Sequence, residues 1–526
     1  MLFQKDKTIF ILILIILLGL FLSSFFFFGP AFINGSDNYE YVYMAYLLAN
    51  GRNKELPKDG VLETRYILLG GIALFYKLFG FTAEASAMFG TLCFLLTILI
   101  VYLIGKNLYN KTAGIIAAFL YSFFPLVVIQ SSSVGDDAPI ALFVSLSLLS
   151  LVKMKNEKNK EKRKVYQFLC GLLPTLGILT STASGIIFAF CFLYFILYFF
   201  YYNFKKEKNR KKEILNFLIG ICFGVIIIML LGAAIMNEPL HVFRVIFEWY
   251  PSPLKHGFSN SPNFNLVFNA VFPYGKNELF EITKNLIFVN LNKIFSFFNS
   301  DGGQFNLFGY FFIGSAVYLI FTREKKAIIP LAWFAFSFLY LSFGPTALSH
   351  RYLFIAYAPR FNIIFVPAVC LVIAIAFSKI LKLKNKFLNF FLFALLLLIF
   401  VSSFLEVFYI KRSEYKITLP LLQIAEAIKS LPLNVSICKG FFAIPIEVYV
   451  NFKRDFISIG ERPENVNCTK IGKEFYVITI ENKSLEENCN LLKIYKSYIP
   501  SWLENYSYYD GIGKEYFYNL TLYKKQ

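Results

Sequence analysis

The sequence predicts a polytopic α-helical membrane protein. About eleven transmembrane helices are followed by a small C-terminal extracytoplasmic α/β domain. Three observations predict it. The 526 residues are 57% hydrophobic and only 16% charged, where an ordinary soluble domain is about 45–50% apolar and about 25% charged. The apolar residues, which raise the mean hydropathy to +0.58, gather into runs of about 20, enough to cross a bilayer core. The net charge of +19 gathers in short loops between those runs. This composition excludes a soluble enzyme and a disordered chain.

The first run, residues 8–28, follows Lys5 and Lys7, which places the N-terminus in the cytoplasm. It is too long for a signal-peptide core and no A-x-A site follows, so it is expected to stay as an anchor. Residues 29–84 form a half-apolar outer loop that is expected to hold helices at the membrane surface. Spans follow at 85–104, 112–130, 138–152, 166–181, 185–203 and 213–235. A second outer segment occupies 236–305. Further spans cover 306–321, 328–344, 361–378 and 387–406. The cations bunch at Lys153–Lys164, Lys205–Lys212, Arg323–Lys326 and Lys379–Lys386. Short basic loops mark the cytoplasmic face, so the charge is a topology signal and nucleic acid is not an expected partner.

The transmembrane part is therefore 1–406 and the outer α/β domain 407–526. The latter mixes charges of both signs with FYVITI and LLQIAEAIKSL. It also holds Cys438, Cys468 and Cys489, of which Cys468 and Cys489 could pair outside the cell. N-x-S/T triplets stand at Asn434, Asn467, Asn482, Asn505 and Asn519, though an Asn-rich chain produces such triplets by chance.

The informative polar residues lie on the outer side. Asp37 opens GSDNYEYVYMAYLLANG, where Asp37, Tyr41 and Ala45 are spaced by four and share a helix face. Gly51 ends that helix. Ser36 or Asp37 could equally be a plain N-cap. Asp136 and Asp137, in QSSSVGDDAPIALF, stand where one span emerges and the next begins. A carboxylate at membrane depth is costly and marks a site, but either residue could cap the helix near Pro139. Arg65, Arg351 and Arg360 are outer-face cations. An arginine fork suits a phosphate, while the bland reading is snorkelling. His241, His256 and His350 lack metal-ligand spacing. There is no Walker loop and no GxSxG elbow, so ATP use and serine hydrolysis lack support.

Taken in order, these motifs resemble the GT-C membrane glycosyltransferases, in particular the glycosyltransferase family 39-like group of protein O-mannosyltransferases and aminoarabinose transferases. Asp37 with Tyr41, Ala45 and Gly51 is similar to that group's opening signature. LFYKLFG ending at Gly80, LIGKNLYNKTAGIIAAFLYSFFP (Leu103–Pro125), the Asp136–Asp137 pair, GLLPTLGILTSTASG and PRFNIIFVPAVCLV follow in the matching sequence. Asn38 stands where the group often has Glu after its first Asp. The resemblance covers about residues 8–406. It implies a GT-C fold and transfer of a sugar from a polyprenyl-phosphate carrier to a protein, lipid or glycan hydroxyl, usually with inversion.

Asp37 would be the general base, with Asp136 or Asp137 orienting acceptor or donor. Arg65, Arg351 and Arg360 would receive the carrier phosphate, and Tyr41 and Glu40 would contact substrate. No cofactor is certain; a divalent metal, Mg or Mn, would fall to Asp37 and Asp137. The rival reading is a transporter or lipid-linked sugar flippase. It calls for broken helices or charges near the midplane and for inverted repeats. The sequence shows no repeated half and few midspan charges.

Overall fold

The computed structural model describes residues 7–23, 35–57, 62–204, 211–249, 307–343 and 359–429, together with five strand segments between 436 and 525. Helix α1 (Lys7–Ser23) is followed by α2 (Gly35–Ala49), α3 (Tyr66–Phe79) and α4 (Ala83–Leu108). The loop between the first two spans therefore holds two helices, as its apolar content predicts. Helix α2 stops where expected. Gly51 takes φ +71°, its N–H donates to Leu48 O, and Arg52 N–H donates to Leu47 O. This paired closure needs a left-handed residue, which glycine adopts without a Cβ clash. At its other end, Ser36 and Asp37 lie inside the first turn of the helix rather than at its cap.

Helix α4 starts on the side chain of Thr82, which accepts from Ala85 N at 3.1 Å. Asn110 does the same for α5 (Lys111–Ser122), accepting from Ala113 N. The stretch 112–130, expected as one span, is divided. Helix α5 ends at Ser122, α6 (Pro125–Ser131) begins three residues later, and the two axes differ by 62°. Pro125 is the cause. It cannot donate to the preceding turn and it forces Phe124 to extended backbone, here ψ 118°.

Helices α7 (Asp137–Asn156), α8 (Lys160–Gly177), α9 (Gly185–Phe204) and α10 (Lys211–Met236) come next. Helices α8 and α10 cross at two glycines. A Cβ on Gly171 would collide with the carbonyl of Phe217, and one on Gly220 with the carbonyl of Phe168. Small residues let two backbones meet where lipid supplies no hydrophobic drive between helices. After α11 (His241–Trp249) come α12 (Phe308–Phe321), α13 (Ile328–Phe343), a short 3-10 turn (Pro359–Phe365) and α14 (Val366–Leu381). Helix α14 is the central span, buried almost throughout.

The last helix, α15 (Lys386–Lys429), runs for 44 residues without a break. It continues through position 406, where the composition changes. Strands β1 (Ser436–Lys439), β2 (Phe456–Ser458), β3 (Phe475–Ile480), β4 (Cys489–Tyr495) and β5 (Leu520–Lys525) form one mixed sheet in the order β2-β1-β3-β5-β4. Strand β1 is parallel to β2 and β3, while β5 is antiparallel to β3 and β4.

Among the described residues, five helices are long and apolar enough to cross a bilayer, and the bent α5–α6 pair makes a sixth. Four further apolar helices are shorter, so these residues establish a multi-pass chain but not a count of eleven. Large apolar side chains stand exposed on α1, α10 and α15, among them Phe10, Leu14, Leu230, Phe387 and Phe390. These are lipid-facing positions, not defects. Among the described residues, the loops near Tyr109, Asn156, Lys326 and Lys382 meet at one end of the bundle. Lys379 pairs with Glu324 at 3.1 Å, Asn156 donates to Asn107 O, and Lys326 and Lys382 both lie over the Tyr109 ring.

Candidate functional site

The opposite end of the bundle carries the buried charges. The turn 131–137 lies at the seam between two hydrophobic clusters. The main core reaches it through Val127, Val128, Ile140 and Ala141. A second cluster contains Val134 together with Tyr41, Tyr66, Leu68 and Leu179. The turn exists because α6 is short and its last carbonyls need partners. Ser131, Ser132 and Ser133 bend their hydroxyls back onto Val128 O, Ile129 O and Gln130 O. Thr91 of α4 donates to Ser131 O at 3.1 Å, and the bare Cα of Gly90 lets the turn lie against α4. The SSSVGDD sequence is thus a cap for one helix and the entrance to the next.

Asp136 stands at the N-cap position of α7, yet its side chain makes no capping hydrogen bond. Its Oδ2 lies 3.2 Å from Nη1 of Arg65 instead. The plain-cap reading of Asp136 therefore gives way to an ion pair. Arg65 is itself the residue before α3, and it is 8% exposed against 1% for Asp136. A pair at that depth resists solvent screening and fixes both partners. The Arg65 guanidinium also sits 5.0 Å from the ring centre of Tyr41, which is fully buried on α2. Removing water from such a contact raises its worth to about 2 kcal/mol. Asp137 is buried in the first turn of α7, where a carboxylate suits the helix dipole.

Three distant stretches thus converge: Tyr41, Arg65 and the Asp136 turn. Asp37 shares the face of α2 that carries Tyr41, one turn nearer its start, or about 6 Å along the axis. The side chains of Asp37 and Arg360 lie outside the described part, as does the whole of Arg351. Glu40 is exposed on α2 and is not buried with Tyr41. Among the described residues, no group of three or more His, Cys, Asp or Glu is arranged to hold a metal.

Sequence reasoning missed several neighbours. His241 is fully buried, and its Nδ1 makes a 2.7 Å hydrogen bond with the Tyr66 hydroxyl. His256 and His350 lie outside the described residues, as do Cys468 and the asparagines of the five N-x-S/T triplets. Glu63 is buried beside Arg65 in the sequence, and Glu406 is buried on α15. Lys411, also on α15 and 6% exposed, donates to Ser132 Oγ and lies 3.4 Å from Ile129 O. The signal was a Glu and a Lys inside the apolar run SSFLEVFYIK, where a charge is costly.

Comparison with known proteins bears on this arrangement. Residues 71–237 match the family model described as dolichyl-phosphate-mannose-protein mannosyltransferase. The sequence matches no curated protein. Among solved structures, the apo form of ArnT from Cupriavidus metallidurans is similar with a TM-score of 0.62 at 10% identity, covering 98% of this chain and 97% of that one. The undecaprenyl phosphate-bound form of ArnT gives 0.60 at 11% identity, with the same coverage. The oligosaccharyltransferase AglB from Archaeoglobus fulgidus, in complex with an inhibitory peptide and a dolichol-phosphate, gives 0.52 at 15% identity over 91% of this chain and 70% of that one. The chain has the fold of the GT-C membrane glycosyltransferases, and its residues 71–237 carry the mannosyltransferase family's sequence pattern.

Proposed function

We propose that the chain is an integral-membrane glycosyltransferase. It moves a sugar from a polyprenyl-phosphate-linked donor to a hydroxyl of a protein, lipid or glycan on the outer face, with inversion. The observation that carries the reading is the buried Arg65–Asp136 pair against Tyr41, one helical turn from Asp37. The fold-sharing ArnT and AglB structures that hold undecaprenyl phosphate and dolichol-phosphate support the donor class.

The chemistry follows from charge. The acceptor oxygen attacks the anomeric carbon from the face opposite the carrier. Its proton passes to the Asp37 carboxylate, a step worth about 10²–10⁴-fold when the base is positioned. The bond from carbon to phosphate oxygen breaks, and the electron pair leaves with the polyprenyl phosphate. Arg65, Arg351 and Arg360 meet that developing charge. A guanidinium has five N–H donors, so Arg65 can give one edge to Asp136 and another to phosphate. Asp136 holds the guanidinium, Asp137 orients acceptor or donor, and Tyr41 and Glu40 contact substrate. A divalent metal on Asp37 and Asp137 is not needed for any of these steps.

The grouping of basic loops at one end supports a cytoplasmic N-terminus and an outer site. The five-stranded sheet between Ser436 and Lys525 supports reading the C-terminal part as an α/β unit, which would stand on the outer side.

One observation favours the transporter or flippase alternative, namely the 62° break between α5 and α6. Discontinuous helices bind ions or substrates in many transporters. Here the break falls at Phe123 and Phe124, both fully buried apolar side chains, and Pro125 accounts for it. The test is a donor panel given to purified protein in lipid, with and without Mg or Mn. Transfer from a polyprenyl-phosphate sugar, and none from nucleotide sugars, is expected. Carrier movement across sealed vesicles without bond cleavage would select the flippase.

A further inference from the structure

Lys411 is the most buried lysine described, and it lies on the helix that leads to the C-terminal sheet. Its ammonium is brought to the C-terminal end of α6, where it donates to Ser132 Oγ and reaches Ile129 O. A cation there opposes the negative end of the helix dipole and satisfies a carbonyl left over by the short helix. Ser132 already spends its hydroxyl hydrogen on Ile129 O, so Lys411, Ser132 and Ile129 close a small ring of contacts. Four residues on stands Asp136, whose carboxylate grips Arg65. An ammonium is costly at that depth, and its contacts with Ser132 and Ile129 join the last helix to the turn.

We infer that Lys411 is a positioning residue. It fastens the 131–137 turn so that Asp136 presents Arg65 to the departing phosphate, and it ties the last helix to that turn. The inference rests on the transferase reading proposed above. It makes Lys411 act through Asp136 rather than on substrate.

The experiment compares wild type, Lys411→Met, Lys411→Arg, Asp136→Asn and the Lys411→Met/Asp136→Asn double variant in the transfer assay. Lys411→Met should lower kcat by on the order of 10²-fold, the effect of a small misplacement, with KM for the donor changed less than about twofold. Lys411→Arg should restore most of the rate, since it keeps a cation at the end of α6. In the Asp136→Asn background, Lys411→Met should cost little more, because two residues acting through one step are not additive. A merely structural lysine would lower the amount of folded protein and leave kcat per folded molecule unchanged. Full additivity with Asp136→Asn would likewise overturn the inference.

A readout independent of activity separates this from failure of the transferase reading. Ser133→Cys is labelled with a membrane-impermeant thiol reagent, against a background of the same protein without that cysteine. Labelling should rise at least about fivefold when Lys411→Met frees the turn. An unchanged rate would refute the positioning role even if no donor gives transfer. Wild type without transfer but with a released turn in Lys411→Met would instead refute the transferase reading alone.

Discussion

Replacing one member of the Arg65–Asp136 pair should destabilise the protein more than replacing both. The Nη1–Oδ2 distance is 3.2 Å and the side chains are 10% and 2% exposed. At an effective dielectric of about 20, that separation corresponds to about 5 kcal/mol of attraction. Taking both charges from water offsets much of it, so the intact pair contributes little net stability. A single removal leaves an uncompensated charge and costs about 3–5 kcal/mol. Asp136→Leu strands the guanidinium and belongs at the upper end. In Arg65→Met the stranded carboxylate can take a proton, but the contact with Tyr41 is lost, at about 2 kcal/mol. The Arg65→Met/Asp136→Leu double variant buries neither charge and should recover most of the loss. Thermal unfolding in detergent micelles reads all four proteins. If the two single losses add in the double variant to within about 0.5 kcal/mol, the residues are uncoupled and the ion-pair reasoning fails.

Gly171→Ala or Gly220→Ala should push α8 and α10 apart at a cost of about 1–3 kcal/mol. Gly70→Ala, whose Cβ meets nothing within 4 Å, should be neutral or stabilising in the same unfolding assay. A destabilised Gly70→Ala with an unaffected Gly171→Ala would contradict the crossing geometry. Burial pushes the Glu324 carboxyl up, but the Lys379 hydrogen bond and the Lys326 backbone outweigh it and hold the group below its ordinary 4.5. A depressed folded value contributes stability above the unfolded value and loses it as pH falls through the folded one. The stability gap between wild type and Glu324→Gln should therefore narrow as pH falls from the ordinary carboxylate value through the lower folded one. A gap that persists in acid would mean that Glu324 acts by packing.

The sequence is a good guide where one physical rule dominates. Runs of apolar residues mark the helices of the bundle, since nothing else is soluble in hydrocarbon. Gly51 ends α2 because only a glycine takes that turn cheaply. Arg65 and Asp136 are legible as charged groups in costly places, and Tyr41 by its spacing from Asp37. Their meeting is not legible, because each comes from a different stretch and pairing depends on tertiary packing. Pro125 carried a signal for the broken helix, yet hydropathy alone runs smoothly through it. Lys411 fell beyond the expected end of the last span, and Glu406 at its last residue. Helix α15 does not end there but runs on to Lys429. Asp136 illustrates the limit of local reasoning. Its position before α7 suits a cap, and a buried arginine takes it instead.

The central claim is that Asp37 removes the acceptor proton during sugar transfer from a polyprenyl phosphate. The direct measurement is single-turnover transfer by wild type and Asp37→Asn, on protein shown by thermal unfolding to be equally folded and inserted. Asn keeps the size and cannot accept the proton at neutral pH. Transfer should fall by about 10²–10⁴-fold or more while donor binding persists. A variant that transfers at the wild-type rate would remove Asp37 from the mechanism and leave the base to be found elsewhere in the chain.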